Sequence, residues 1–239
     1  MKRIAVLASG GGTNLQAILD HFDALGRQRA GEVVVVASDR ARAGALERAG
    51  VRGIPSALIK TGSASGGQPL DDLLREHRVD LIALAGYLRL VPERTVDQYR
   101  GRIVNVHPAL LPAFGGAGMY GARVHGAVID SGATVSGATV HFVDHVYDRG
   151  PIIAQWPVPV FREDTPASLA ARVLRVEHVL YPLAIDAVAT GHVALAEDRV
   201  VRRSPDGTMN GGRSVDESTF TISASAPRLA HDIARALGA

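Results

Sequence analysis

Ile4-Ala5-Val6-Leu7-Ala8-Ser9-Gly10-Gly11-Gly12-Thr13-Asn14-Leu15 is the stretch on which the fold turns. A compact apolar run reads as a buried strand, the glycines break it, and Leu15 to Leu19 then reads as a helix. The same alternation recurs downstream. Val33 to Val36 is a second strand ending at Ser38-Asp39, and Ala43 to Ala49 is a helix closing at Gly50. Residues near Gly53 to Leu58 form a candidate third strand, followed by a Gly/Ser loop from Thr61 to Gly67. Leu70 to Glu76 reads as a helix, and Leu81 to Ala85 as another buried strand closing at Gly86. Apolar strands alternating with short helices predict an α/β fold, a doubly wound and mostly parallel sheet with helices on both faces. Ile103 to Val160 is richer in strands, Gly and Pro, which predicts a mixed or antiparallel C-terminal edge.

A long helix is expected from about Pro166 to Ala189, with Asp164-Thr165 as cap and Leu169, Val173, Val176 and Leu180 on its apolar face. Pro182 should kink or divide it. Ser204 to Ser225 has weak periodicity and reads as a loose tail or a small hairpin, and Ala226 to Leu237 as a final amphipathic helix. The expected organisation is therefore one α/β domain over residues 1–203 and a C-terminal extension over 204–239.

The chain of 239 residues is long enough for one substantial core. Its 46% hydrophobic and 21% charged content is that of an ordinary globular protein. Lysine occurs only at positions 2 and 60, so arginine carries nearly all the positive charge, in keeping with a pI near 9.2 at a formal charge of +2. No basic tract is dense enough for a nucleic-acid surface. The absence of cysteine excludes disulfides, thiolate metal sites and a thiol nucleophile. The first apolar stretch is too short for a secretory segment or a membrane span, so no membrane partner is expected and the cytoplasm is the default location.

The glycine loop from Ser9 to Asn14 joins the first strand to the first helix. Its glycines let the backbone turn tightly, and the free amides at a helix start favour an anion. Two readings stay open on these residues alone, a phosphate cradle and a plain tight βα turn. A nicotinamide fingerprint fits less well, because Leu15 stands where the third glycine belongs, although Asp39 could act as its ribose acid. No Gly-Lys-Ser/Thr follows, so this is not a Walker loop.

The polar residues that carry chemistry gather later. Asn105-Val106-His107-Pro108 follows one apolar run, and Asp148-Arg149-Gly150 lies beyond another, Ala138 to Val143. In open α/β sheets ligands collect beyond the carboxyl ends of strands. A carboxamide, an imidazole and a carboxylate meeting there could stabilise an oxyanion and move a proton, the requirements of acyl transfer. His141 adds a second imidazole on the same strand face as Thr139. His107, His141 and Asp148 could also be imagined on a metal, but no His-Glu-x-x-His helix or other close ligand spacing accompanies them, and no metal is expected.

Six motifs occur in a family-specific order. They are Ser9 to Asn14, Ala85-Gly-Tyr-Leu-Arg89, Asn105-Val-His-Pro-Ala-Leu-Leu-Pro112, Thr139-Val-His-Phe-Val143, Asp148-Arg-Gly-Pro-Ile-Ile-Ala-Gln155, and Glu177-His178 through Tyr181-Pro182. Together they resemble the phosphoribosylglycinamide formyltransferase family, over roughly residues 2 to 200. The resemblance implies transfer of a formyl group from 10-formyltetrahydrofolate to the amine of phosphoribosylglycinamide, in purine biosynthesis. It implies that Asn105 and His107 meet the formyl oxygen and that Asp148 moves the proton. It implies that Gly11, Gly12, Thr13 and Asn14 hold the substrate phosphate and that Glu177 holds the ribose hydroxyls. The pterin is implied to lie against Arg89, Leu90 and Val91 and the loop that includes Val143 and His145. Thr139 and His141 take supporting places. The implied partners are small molecules only, and the implied assembly is a monomer or a homodimer.

The chain departs from that pattern at Ala109, commonly Ser, at Gly115-Gly116, usually a Pro-Gly-like turn, and at Arg149, where a small residue is usual. The segment from Thr61 to Pro69 lacks the Ser-Arg pattern that meets the folate tail. Rival readings are a formyltetrahydrofolate hydrolase using the same three residues, a methionyl-tRNA formyltransferase, and a binding module without turnover. The hydrolases usually carry an N-terminal regulatory domain, whereas the first strand here begins at about Ile4. The tRNA enzymes carry an RNA-binding domain for which the tail is too short and too weakly basic. Binding alone would not require Asn105, His107 and Asp148 together.

Overall fold

The computed structural model describes residues 1–59, 69–203, 209–210 and 226–238. The expected Gly/Ser loop and the segment compared with the folate-tail contact fall almost wholly outside these residues, as does most of 204–225.

Seven strands form the main sheet: β1 (Lys2–Leu7), β2 (Gly31–Ser38), β3 (Ser56–Leu58), β4 (Leu81–Leu84), β5 (Ile103–His107), β6 (Val135–Phe142) and β7 (Ile152–Pro159). Their order is β3-β2-β1-β4-β5-β6-β7. The first five strands pair in parallel, whereas β6 and β7 are antiparallel to their neighbours, so the expected mostly parallel sheet with a mixed edge is what forms. Both faces are covered, which is why β4 is apolar throughout and β1 is apolar from Ile4 to Leu7. One core holds Leu15, Ile18, Val128, Val173 and Leu180, from α1 (Thr13–Leu25), α5 (Ala122–Asp130) and α6 (Pro166–Thr190), with α2 (Gly44–Val51) added through Ala45 and Ala49. The other holds Leu70, Leu73 and Val96, from α3 (Leu70–Glu76) and α4 (Glu93–Gln98).

The order in which successive strands join the sheet reverses between the parallel neighbours β1 and β4, the switch point at which such sheets open a crevice. The two strand ends are tied there, the Ser9 amide donating to the Gly86 carbonyl at 3.1 Å. Helix α6 lies across this crevice. Its buried Tyr181 hydroxyl lies 2.9 Å from both the Leu84 and Val104 carbonyls, which fixes the helix over the ends of β4 and β5. A capping box starts α6, with the Ser168 amide donating to Thr165 Oγ1 and the Thr165 amide donating to Ser168 Oγ.

Three expectations about elements change. Helix α6 is not divided at Pro182. Pro182 removes one amide donor, but Leu180, Tyr181, Ala184 and Ile185 around it are fully buried, and that packing keeps the helix continuous. The stretch after Ile103 contains α5, which its surrounding glycines obscure. Residues just before 204 form a hairpin, β8 (Val193–Ala196) with β9 (Arg199–Arg203), and β10 (Met209–Asn210) extends it across position 204. The final helix, α7 (Ala226–Leu237), packs on α6 with Ile233 buried.

Candidate active site

The crevice is a cavity of about 790 Å³ bounded by the ends of β4 and β5, the 143–148 loop, the start of α5 and one face of α6. Asn105 and His107 reach it from the end of β5, where alternation sends them to one side of the strand. Asp148 reaches it from the loop between β6 and β7. That loop closes tightly: a Cβ on Gly150 would fall 1.8 Å from the Phe142 carbonyl oxygen, so only glycine fits. Asp148 itself has φ 57°, a conformation that Asp tolerates better than most side chains.

The side chains at the floor form one network. Asn105 Nδ2 lies 3.0 Å from His141 Nε2, and His141 Nδ1 lies 2.7 Å from the Phe142 carbonyl oxygen. A carbonyl can only accept, so the proton sits on Nδ1 and Nε2 accepts from the carboxamide. His107 Nε2 donates to the Phe114 carbonyl at 2.9 Å by the same logic. Its Nδ1 therefore faces Asp148 Oδ2 at 3.5 Å, while Asp148 Oδ1 lies 3.7 Å from His141 Nε2. The Gly116 amide donates to Asp148 Oδ2 at 2.8 Å. The carboxylate thus faces His107 Nδ1, the ring nitrogen left without a proton by the bond to Phe114, and a proton delivered between Nδ1 and Oδ2 is shared by the two groups.

The electrostatics agree. Burial holds the His107 pKa below the usual value, and the Asp148 charge and the Phe114 carbonyl oppose this only in part. Burial pushes Asp148 up, but the attraction of the His141 and His107 rings in their protonated forms and the Gly116 amide outweigh it and leave the carboxyl below its usual range. His107 is thus a neutral ring here. The donor left free for a ligand is the second N–H of Asn105.

At the other end of the cavity Asn14 Nδ2 donates to Glu177 Oε2 at 2.7 Å. Glu177 is buried, and burial raises its pKa against the pull of that hydrogen bond. Ala170, Leu174 and Glu177 share this helix face at intervals of four and three residues. Gly11, Gly12 and Thr13 are not on the wall of this cavity. The loop leans on α2 instead: Arg48 Nε donates to the Gly11 carbonyl at 2.8 Å, and a Cβ on Gly12 would fall 2.7 Å from Ala45 Cα. Thr13 opens on a second cavity of about 610 Å³, beside Arg48 and His178. Asp39 is committed to Ser9 at 2.6 Å and Arg89 at 3.4 Å, which leaves it poorly placed as a ribose acid.

Arg89, Leu90, Val91 and Val143 all line the main cavity. His145 does not, which corrects its placement: its ring turns outward to Asp97 at 3.0 Å, an exposed surface pair. Thr139 is fully buried behind the site. It donates to the Ala109 carbonyl at 2.6 Å and accepts from the Leu111 amide at 3.0 Å, pinning the segment after His107. Gln155, not singled out from sequence, joins it by donating to Thr139 Oγ1 and the Leu111 carbonyl. His125 was also passed over, yet α5 brings it to the cavity wall. Its sequence context, Arg-Val-His-Gly-Ala-Val, carries no signal beyond helical spacing. Among the described residues no cluster of three or more His, Asp or Glu side chains is arranged to hold a metal ion.

A doubly wound sheet with this amide, imidazole and carboxylate floor defines a class of group-transfer enzyme. The formyl transferase family model matches residues 2–185, and the chain belongs to that family. Phosphoribosylglycinamide formyltransferase of Arabidopsis thaliana, a chloroplastic protein, is 44% identical over 83% of this chain and 69% of its own length. The protein of that name from Bacillus subtilis (strain 168) is 38% identical over 77% of this chain and 93% of its own. Among solved structures, glycinamide ribonucleotide transformylase 1 from Symbiobacterium toebii superposes with a TM-score of 0.74 at 42% identity, covering 84% of this chain and 93% of that one.

Proposed function

We propose that this enzyme transfers the formyl group of 10-formyltetrahydrofolate to the amine of phosphoribosylglycinamide. The observation that carries the reading is the Asn105–His141–Asp148–His107 network on the floor of a cavity whose far end is Asn14 and Glu177. The folate side would be the wall of Arg89, Leu90, Val91 and Val143. The acceptor would run from the glycine loop past Glu177 to the floor, with its phosphate at the start of α1, where free amides and the helix dipole favour an anion.

The amine nitrogen attacks the formyl carbon, and the carbonyl electrons move onto oxygen. The free N–H of Asn105 stabilises that oxygen as charge develops. The amine proton passes to the proton-poor pocket between Asp148 and the bare His107 Nδ1, directly or through water, and returns to the folate nitrogen as its bond to the formyl carbon breaks. The products are the formamide and tetrahydrofolate, with no covalent enzyme intermediate. Holding both substrates in one cavity supplies proximity. The finer readings go with this proposal: a cytoplasmic enzyme of small molecules, active as a monomer or homodimer without nucleic acid, its formyltransferase unit spanning residues 1–203. No described helix is long and apolar enough to cross a membrane.

The test is an assay with both substrates, following loss of the formyl group with and without the amine. Asp148→Asn and His107→Ala are each expected to lower kcat by about 10²-fold or more. Near-normal turnover in both would remove them from the mechanism. Hydrolysis is the second reading, since water in place of the amine meets the same floor. Formate release at the full rate without the amine would favour it.

A further inference from the structure

His125 is a buried polar residue on the cavity wall that the mechanism above does not use. It is only 4% exposed, so its environment is set by its immediate neighbours. Its Nδ1 is fully buried and has no hydrogen-bond partner. Its Nε2 has no partner among the described residues and is not among the fully buried atoms, so it is the edge of the ring that meets the cavity. A buried N–H without an acceptor is costlier than a buried lone pair, so the ring proton belongs on Nε2. Burial and the nearby His107 both disfavour a charge on the ring. The residue therefore offers the cavity one neutral donor in a fixed place.

The fold tells which ligand that donor meets. Helices α1, α5 and α6 lie on one face of the sheet, and Val91, with Tyr87 and Val143 packed beside it, belongs to the core of the other. His125 stands on α5, which packs on α6, the helix that carries Glu177. It is thus on the side of the cavity with Asn14 and Glu177, not on the side of Arg89 to Val91.

We infer that His125 is a substrate-contacting specificity residue, donating a hydrogen bond from Nε2 to an oxygen acceptor of the bound amine substrate, such as its amide carbonyl. The inference rests on the proposed formyl transfer to a phosphorylated glycinamide. It adds a contact on the acceptor, between the ribose-side Glu177 and the reacting floor.

Three variants test it in steady-state kinetics with both substrates, alongside thermal unfolding. His125→Gln places an amide N–H near the position of Nε2, His125→Asn places one near Nδ1, and His125→Leu supplies none. The Leu and Asn variants are expected to raise KM for the amine substrate about tenfold, the worth of one lost hydrogen bond. KM for the formylfolate should be unchanged in all three, and Gln should stay within about threefold of wild type. Equal losses in Gln and Asn, or a KM for the amine that does not move, would overturn the role. A rise in KM for the formylfolate alone would place His125 on the other ligand and also overturn it. The Gln and Asn pair keeps the comparison decisive if the Leu variant fails to fold. A wild-type chain that forms no formylated product would sink the function reading itself. An active wild type with an unaffected Asn variant would sink only this one.

Discussion

Gly12 stands at φ 76°, with no room for a Cβ against α2. Two constraints meet there, a left-handed backbone and a close helix, and each alone favours glycine. Gly12→Val must push the loop off Ala45, which displaces the first amides of α1. If those amides hold the substrate phosphate, KM for the phosphorylated amine should rise about tenfold or more, since overpacking of this kind costs about 1–3 kcal/mol. An unchanged KM would place the phosphate elsewhere. Single residues were unevenly legible. Asn105, His107 and Asp148 could be picked out because each ends an apolar run, where chemistry collects in such sheets. His145 was placed at the pterin only through its loop and His125 not at all, since both are lone histidines in unremarkable contexts. One turns out to Asp97 and the other in to the cavity, a choice made by how α5 and the 143–148 loop pack.

Helix α6 is the element that joins fold to site, because one face builds the core and another carries Ala170, Leu174 and Glu177 to the cavity. Its start depends on the Thr165–Ser168 box and on Asp164, whose carboxyl is held well below the usual range, chiefly by its hydrogen bonds to Arg172. Thr165→Ala removes the side-chain acceptor for the Ser168 amide. It should lower the free energy of unfolding by about 1 kcal/mol in a urea titration, with little change in slope. A loss near zero would mean that Asp164 caps the helix unaided. The length of α6 was readable from its apolar period, but its continuity through Pro182 was not. Local propensity disfavours proline in a helix interior, and only burial on both sides of it overrules that preference. The hairpin β8–β9 and the short α4 and α5 escaped for the converse reason, since they are too short or too rich in glycine for a period to show.

Across the whole molecule, buried and half-buried histidines are expected to set the response to acid. His21, His107, His125 and His178 all titrate below the usual 6.5, with burial the largest cause in each. A histidine whose folded pKa lies below its unfolded value stabilises the fold above that value, and the contribution is lost as pH falls through the folded pKa. Glu177 and Asp186 are raised, again mainly by burial, and act in the opposite sense, favouring the fold as pH falls. With four groups against two, Tm should decline as pH is lowered from about 7.5 to about 5.5. A flat or rising Tm over that window would show that the two buried acids dominate.

The sequence by itself determined the alternation of strands and helices as far as Ala85, the mostly parallel sheet, the glycine turn and the three side chains at its opening. Those features are local, written in apolar periods and in residues that only certain backbone shapes accept. Tertiary structure decided which ring nitrogens carry protons, that His107 rests neutral, that Thr139 serves from behind and that His125 faces the cavity. These depend on burial and on which carbonyl lies opposite which nitrogen, quantities that exist only after distant segments have packed together.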